Sequence, residues 1–189
     1  MNISRISIDI GDLMNKNTLA LAGIFGLLAF IMALFEVPMQ LGNPNLGTTP
    51  VSISAAMFAP EVSFIAGILK GIGASISSGK PYVEFAAGIG DAFMALFTFY
   101  LMRRMRGEGA IVIGQLSRYL FTASLVAFSV SMFVDNDITL FAEAWRGILP
   151  ALTWSIIANS VVSVIIFRLF GKGISEWFGK RLGKGIFPQ

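Results

Sequence analysis

The chain has 189 residues, 55% hydrophobic and 13% charged, with a mean hydropathy of +0.75, a formal net charge of +3 and a pI near 9.5. A soluble core cannot hide that much apolar surface, so the composition predicts an all-α membrane protein. Cysteine and histidine are absent, which excludes disulfide scaffolds, thiolate and imidazole catalysis, haem attachment and ordinary zinc sites, and no cofactor is expected.

Residues 1–17 read as a polar lead in which Ile3, Ile6, Ile10, Leu13 and Met14 recur at helical spacing between Arg5, Asp9 and Asp12. The pattern fits a short helix on the cytoplasmic surface or a plain tail. The hydrophobic run behind it is longer than the roughly 7 to 15 residues of a signal peptide, so the first helix is expected to stay.

A bilayer core about 30 Å thick takes about 20 apolar helical residues to cross. Residues 18–35 and 147–167 carry no charge and read as clean spans. Residues 62–79, 85–102 and 109–134 are each interrupted once, by Lys70, Asp91 and Arg118 respectively. Residues 48–59 are short before Pro60 and Glu61, and read as a short, tilted or broken second helix. The expected fold is a six-transmembrane-helix bundle with a short or broken second helix, in one membrane domain. Residues 18–170 make up the bundle, and 171–189 a basic cytoplasmic tail with Trp177 and Phe178 as interface anchors.

Charge placement selects six crossings over five. With six, one side holds Arg5, Lys16, Arg103, Arg104, Arg106, Arg168, Lys172, Lys180, Arg181 and Lys184, against only Lys80 and Arg146 opposite. Lys and Arg gather in cytoplasmic loops. Both termini are therefore expected in the cytoplasm, with the chain multi-pass in the plasma membrane and its basic character explained by topology rather than by nucleic acid.

Intramembrane charges cost about 2.5 to 3.5 kcal/mol each on insertion scales, so they face partners or cavities. Lys70 near the middle of helix 3 and Asp91 about a third of the way into helix 4 are a plausible neutralising pair, with a direct ligand role equally open to them. Arg118 is expected nearer the cytoplasm, where it can snorkel. Polar and aromatic residues collect at the outer ends: Glu36, Gln40, Asn43 and Asn45 after helix 1, then Lys80, Tyr82 and Glu84. Trp145, Arg146, Trp154 and Asn159 come from the last helix and its lead. Together with Asp91 these residues are candidates for an outward-facing binding pocket, roofed by the turn-rich loop 42–50. Taken singly, each fits an ordinary loop or interface residue.

Ala22, Gly26, Ala29 and Ala33 lie on one face of helix 1. Such a small-residue stripe suits close helix approach, either to a partner subunit or inside the bundle. Gly88-Ile89-Gly90-Asp91 matches the GxGD motif of intramembrane aspartyl proteases. That chemistry needs two aspartates to share a proton, and Asp9, Asp12, Asp135 and Asp137 all lie outside the spans. An enzyme is not expected. A scaffolding membrane protein without a ligand is the other alternative, and it predicts a packed bundle with no lidded cavity.

Six helices with a short second one, a polar lid after helix 1 and a small-residue face on helix 1 resemble the S component of an energy-coupling factor (ECF) transporter. The stretch 49–71, TPVSISAAMFAPEVSFIAGILKG, is similar to that family's proline-led short helix, proline turn and Gly-rich third helix. The family carries an AxxxA pattern on helix 1. Ala29 and Ala33 match it literally, and Ala22 and Gly26 match its cytoplasmic-half position with glycine substituted. The resemblance implies a binding subunit that captures a vitamin, an aromatic amino acid or a related micronutrient outside, and delivers it inward. It would work with a transmembrane coupling subunit and two cytoplasmic ATPase subunits. Glu84 and Asp91 suit a cationic heterocycle such as thiamin, while Lys80 and Arg146 suit a carboxylate such as biotin or tryptophan, and the sequence does not choose.

Overall fold

The computed structural model of the protein describes residues 16–37, 43–105 and 107–182. The lead 1–15, Gln40 and the end of the tail from residue 183 lie outside the described residues. Seven α-helices follow in order: α1 (Lys16–Ala33), α2 (Thr48–Met57), α3 (Pro60–Ser78), α4 (Pro81–Met102), α5 (Gly107–Leu116), α6 (Phe121–Phe133) and α7 (Phe141–Leu182). Short 3-10 turns at Ser117–Tyr119 and Ile138–Leu140 precede α6 and α7. Among the described residues there is no strand, and one isolated antiparallel bridge joins Glu36 to Asn45.

Among the described residues, four stretches are long and apolar enough to cross a membrane: Lys16–Ala33, Pro81–Met102, Gly107–Phe133 and Ile138–Phe178. The third joins α5 to α6 through the 3-10 turn that holds Arg118. The fourth is longer than the expected 147–167. Helix α7 runs for 42 residues, roughly 63 Å at 1.5 Å per residue, about twice the hydrocarbon thickness. The first part of the expected tail is therefore helical. It stays on the bundle because Phe178 sets its ring edge-on against Phe58, with centroids 5.4 Å apart.

The break between α2 and α3 follows from Pro60, which occupies the first turn of α3 after extended Ala59. Gly79 closes α3 in the left-handed conformation at φ 65°, and Pro81 opens α4 two residues later. Helices α3 and α4 run antiparallel with their backbones nearly touching. A β-carbon on Gly71 would stand 2.8 Å from the Gly88 Cα, and one on Gly67 2.7 Å from the Ala92 nitrogen. On the other side of α4, a β-carbon on Gly90 would fall 2.9 Å from the Thr122 nitrogen of α6. The glycines of the GxGD match are thus points where neighbouring helices close on α4.

The small-residue stripe of α1 is also internal, which corrects the expectation of a docking face. Ala22, Ala29 and Ala33 are fully buried and Gly26 is buried with them. Leu69 of α3 fills the space beside Gly26, and Gly47 packs on the Ala29 carbonyl and the Ala33 methyl. Leu19, Leu27, Leu28 and Ile31 form the exposed side of α1 instead.

One end of the bundle carries Lys16, Arg103, Arg104 and Arg168, and the opposite end carries Lys80 and Arg146. Two apolar clusters fill the interior. Leu21, Phe25, Phe58, Val62, Met94 and Ile111 lie toward the arginine-bearing end. Val83, Val126, Val130, Ile148 and Leu152 lie toward the other. Buried polar side chains occupy the layer between them.

Candidate functional site

Asp91 is the centre of that layer, fully buried on α4. Lys70 Nζ reaches its Oδ2 at 3.1 Å, and Arg118 Nε reaches its Oδ1 at 2.7 Å. Thr48 and Thr122 each donate a hydroxyl hydrogen bond to it at 2.9 Å. The pairing of Lys70 with Asp91 follows the expectation, while Arg118 corrects it: the side chain turns inward and does not snorkel. The reason is depth. Helix α5 starts at Gly107, which sets Arg118 roughly 16 Å along the span, near mid-membrane. Its Nη2 also points at Asp91, with Oδ2 at 3.5 Å, and its Nη1 donates to Ser155 at 3.0 Å and Gln115 at 3.4 Å; Gln115 donates onward to Ser52 at 2.5 Å.

These contacts give each buried charge an opposite charge and fixed dipoles, the condition under which such groups are tolerated in hydrocarbon. They also occupy the Asp91 carboxylate on both oxygens, which leaves no room for the shared proton of an aspartyl dyad.

A non-helical loop enters the bundle to this depth. Val37 donates its main-chain N–H to the Pro44 carbonyl at 2.9 Å, closing the base of the loop. Asn159 of α7 donates to the Asn45 carbonyl at 2.8 Å and accepts from Thr49 at 2.9 Å. The Asn45 side chain accepts from the Gly47 N–H at 3.0 Å and donates to the Asn43 carbonyl at 3.2 Å. Irregular backbone at membrane depth survives only where protein satisfies it, and Asn159 supplies that function here. Helix α2, which starts at the foot of this loop, is only 10 residues long.

Beside the ionic cluster lies a cavity of about 40 Å³, room for a few atoms or an ordered water or two. Asn43, Pro44 and Asn45 bound it on the loop side, and Lys70, Glu84, Arg118 and Ser155 contribute its polar wall. Glu84 is 3% exposed. The Asn43 main-chain N–H bonds its carboxyl, but its Oε1 is buried with no hydrogen-bond partner among the described residues. Glu36 Oε1 accepts from the Asn43 side chain at 2.9 Å, and Glu36 Oε2 is likewise buried without a partner. A second hollow of about 550 Å³ lies on the far side of the loop, lined by Phe35, Val37, Leu46, Trp154 and Ala158. It shares Pro44, Asn45 and Ser155 with the first.

The structure thus brings Asn43, Asn45 and Glu84 to the cavity and joins Asp91 and Asn159 to its supporting network. It does not bring together the rest of the expected set. Tyr82 is 58% exposed and stacks on Phe133, and Arg146 is exposed. Lys80 and Trp145 are half-buried away from the cavity, with Trp145 packed on the α6–α7 apolar cluster. Trp154 is 64% exposed and belongs to the outer hollow. Arg118, Thr122 and Ser155 are additions. The available signal for Arg118 was its charge within an apolar span, and Ser155 stands one turn before Asn159.

No protein-family model matches the chain, and no curated protein matches it by sequence. Among solved structures, the S component of a bacterial ECF transporter is similar to it at a TM-score of 0.64 and 17% identity, over 85% of this chain and 99% of that one. The seven helices of the described residues, matched over 85% of this chain and 99% of its neighbour, give this protein the fold of an ECF-transporter S component.

Proposed function

We propose that the protein is the substrate-binding S component of an ECF-type importer in the plasma membrane. In this reading the short α2 and the Lys70-bearing α3 also cross, so the chain passes six times with both termini in the cytoplasm. The asymmetry of Lys and Arg supports that orientation. The chain would capture a vitamin or related micronutrient outside and release it inward with a transmembrane coupling subunit and two ATPase subunits.

The observation that carries the reading is the polar cavity bounded by loop residues 43–45, held at mid-membrane depth in a bundle of this fold. A scaffold has no use for a buried carboxylate oxygen left without a partner, because such an atom costs free energy until something bonds it. At about 40 Å³ the cavity holds no whole vitamin. Displacing Pro44 and Asn45 would join it to the outer hollow, since both spaces are bounded by these residues. Loop movement is therefore part of the mechanism. Glu84, Lys70, Asn43 and Asn45 would contact the ligand, and Asp91, Arg118 and Asn159 would hold their positions.

Native mass spectrometry of the chain purified from the membrane, alone and with a panel of vitamins and aromatic amino acids, tests this. A retained small molecule whose loss lowers thermal stability is expected. A panel that yields none, from a chain that remains folded, would remove the binding reading.

A further inference from the structure

The charges around the cavity go beyond this reading and specify a class of ligand. Two cations, Lys70 and Arg118, stand in one neighbourhood with two buried carboxylates, Asp91 and Glu84, and a half-buried third, Glu36. Asp91 takes a bond from each cation. Arg118 is further spent on Ser155 and Gln115. The other two carboxylates, Glu84 and Glu36, each present a buried oxygen that nothing in the described chain bonds, although Lys70 lies near enough to Glu84 to act on it through space. Each is also close enough to act on the other electrostatically. Resting on the binding-subunit reading, we propose that the site takes an organic monocation, a small molecule with one positively charged nitrogen, and that Glu84 Oε1 is the acceptor which selects it.

An N–H donor at this point satisfies the orphaned oxygen, a quaternary nitrogen offsets it by charge alone, and either balances the third carboxylate. An anion of the same size would meet the unpaired Glu84 oxygen in the cavity wall, with the neighbouring guanidinium already committed to Asp91, Ser155 and Gln115. Lys80 and Arg146, the cations that would favour a carboxylate ligand, line no part of the cavity. The cavity suits the charged head alone, and the outer hollow with Trp154 suits a flat apolar body. A bare metal ion is a poorer fit, because it needs several fixed oxygen ligands in place of its water and the described residues hold no group of three acidic ligands.

The experiment is a thermal-shift and calorimetric comparison on the intact purified chain with four organic probes. Thiamin and tryptamine carry the cation, biotin and nicotinate the carboxylate, and magnesium chloride serves as a fifth arm. At least one organic cation is expected to bind and stabilise the parent, with neither anion doing so. Glu84→Gln, which keeps shape and removes charge, should weaken that cation about tenfold or more. Without ligand, the same variant should melt no lower than the parent, which shows that it folds. Glu84→Asp should retain part of the affinity. Preferential binding of an anion, stabilisation by magnesium alone, or an unchanged cation affinity in Glu84→Gln would overturn the ligand class while leaving a binding subunit standing. Silence from every probe, joined to an empty native mass spectrum across the vitamin panel, would overturn both.

Discussion

Arg118 Nε stands 2.7 Å from Asp91 Oδ1, and the pair falls where the 3-10 turn Ser117–Tyr119 separates α5 from α6. The tighter turn coincides with the convergence of two groups. Arg118 points at α4, and Gly90 allows Thr122 to follow it onto the same carboxylate. A mid-helix 3-10 stretch often marks strain or function, and here it stands beside the ionic cluster.

Removing the anion from this cluster should be far worse than removing the whole set of charges. Asp91→Ala leaves Lys70 and Arg118 buried and unpaired, a loss of about 3 to 5 kcal/mol. The triple replacement Lys70→Met, Asp91→Asn, Arg118→Met should melt above the single variant. Thermal unfolding in detergent compares them. A single variant as stable as the parent would mean that the cations find water in its place.

The α3–α4 contact predicts a steric failure with a clear location. A side chain on Gly88 would run into backbone at Gly71 and at the Gly67 carbonyl, so Gly88→Val should force the helices apart. The expected readout is loss of the monodisperse size-exclusion peak. Gly23→Val, at a position with open space around it, should behave as the parent does.

The all-helical, membrane-spanning character was legible in the sequence because apolar run length is a direct response to bilayer thickness. The short α2 was legible as well, since Pro60 bounds it. Burial was not. Ala22, Gly26, Ala29 and Ala33 give the same periodicity whether they face a partner or α3, and only the position of Leu69 and Gly47 decides. Arg118 was misplaced because the apparent start of its span at residue 109 gave no sign of the turn that aims it at Asp91. Glu84 was legible as a candidate from its place at the head of α4, but its unpartnered oxygen depends on where Asn43 comes to rest, and that is a tertiary fact.

The corrected stripe changes what a bulky substitution on α1 does. Ala29→Trp should disrupt the fold outright, because the methyl it replaces is fully buried and its carbonyl carries Gly47. Leu27→Trp, on the exposed side, should express and melt normally. Paired expression and melting measurements separate them. An intact Ala29→Trp protein would return the stripe to the surface.

Orientation has a clean assay because the chain contains no cysteine. Lys80→Cys and Arg103→Cys sit at opposite ends of α4, just outside its limits. A membrane-impermeant maleimide added to whole cells should label Lys80→Cys at once and Arg103→Cys only after permeabilisation. The reverse pattern would invert the topology and place the cavity loop on the cytoplasmic face.

The last prediction concerns the loop that separates the cavity from the outer hollow. Asn159 holds it down through the Asn45 carbonyl and Thr49, so Asn159→Ala leaves both without that partner, at about 1 to 3 kcal/mol. Because the loop is the bonded element nearest the cavity, much of this cost should appear as easier local opening rather than global unfolding. Ala87→Cys is the reporter. It lines the cavity at 8% exposure and makes no side-chain hydrogen bond that a thiol would break. Its labelling by a water-soluble maleimide should be slow in the otherwise unaltered chain and roughly 5- to 150-fold faster with Asn159→Ala, the range that this free energy gives. A bound ligand beneath the loop should slow it again. Equal labelling rates in the two backgrounds would show that Asn159 supports the fold without controlling access, and that substrate enters by a path other than the one past Pro44 and Asn45.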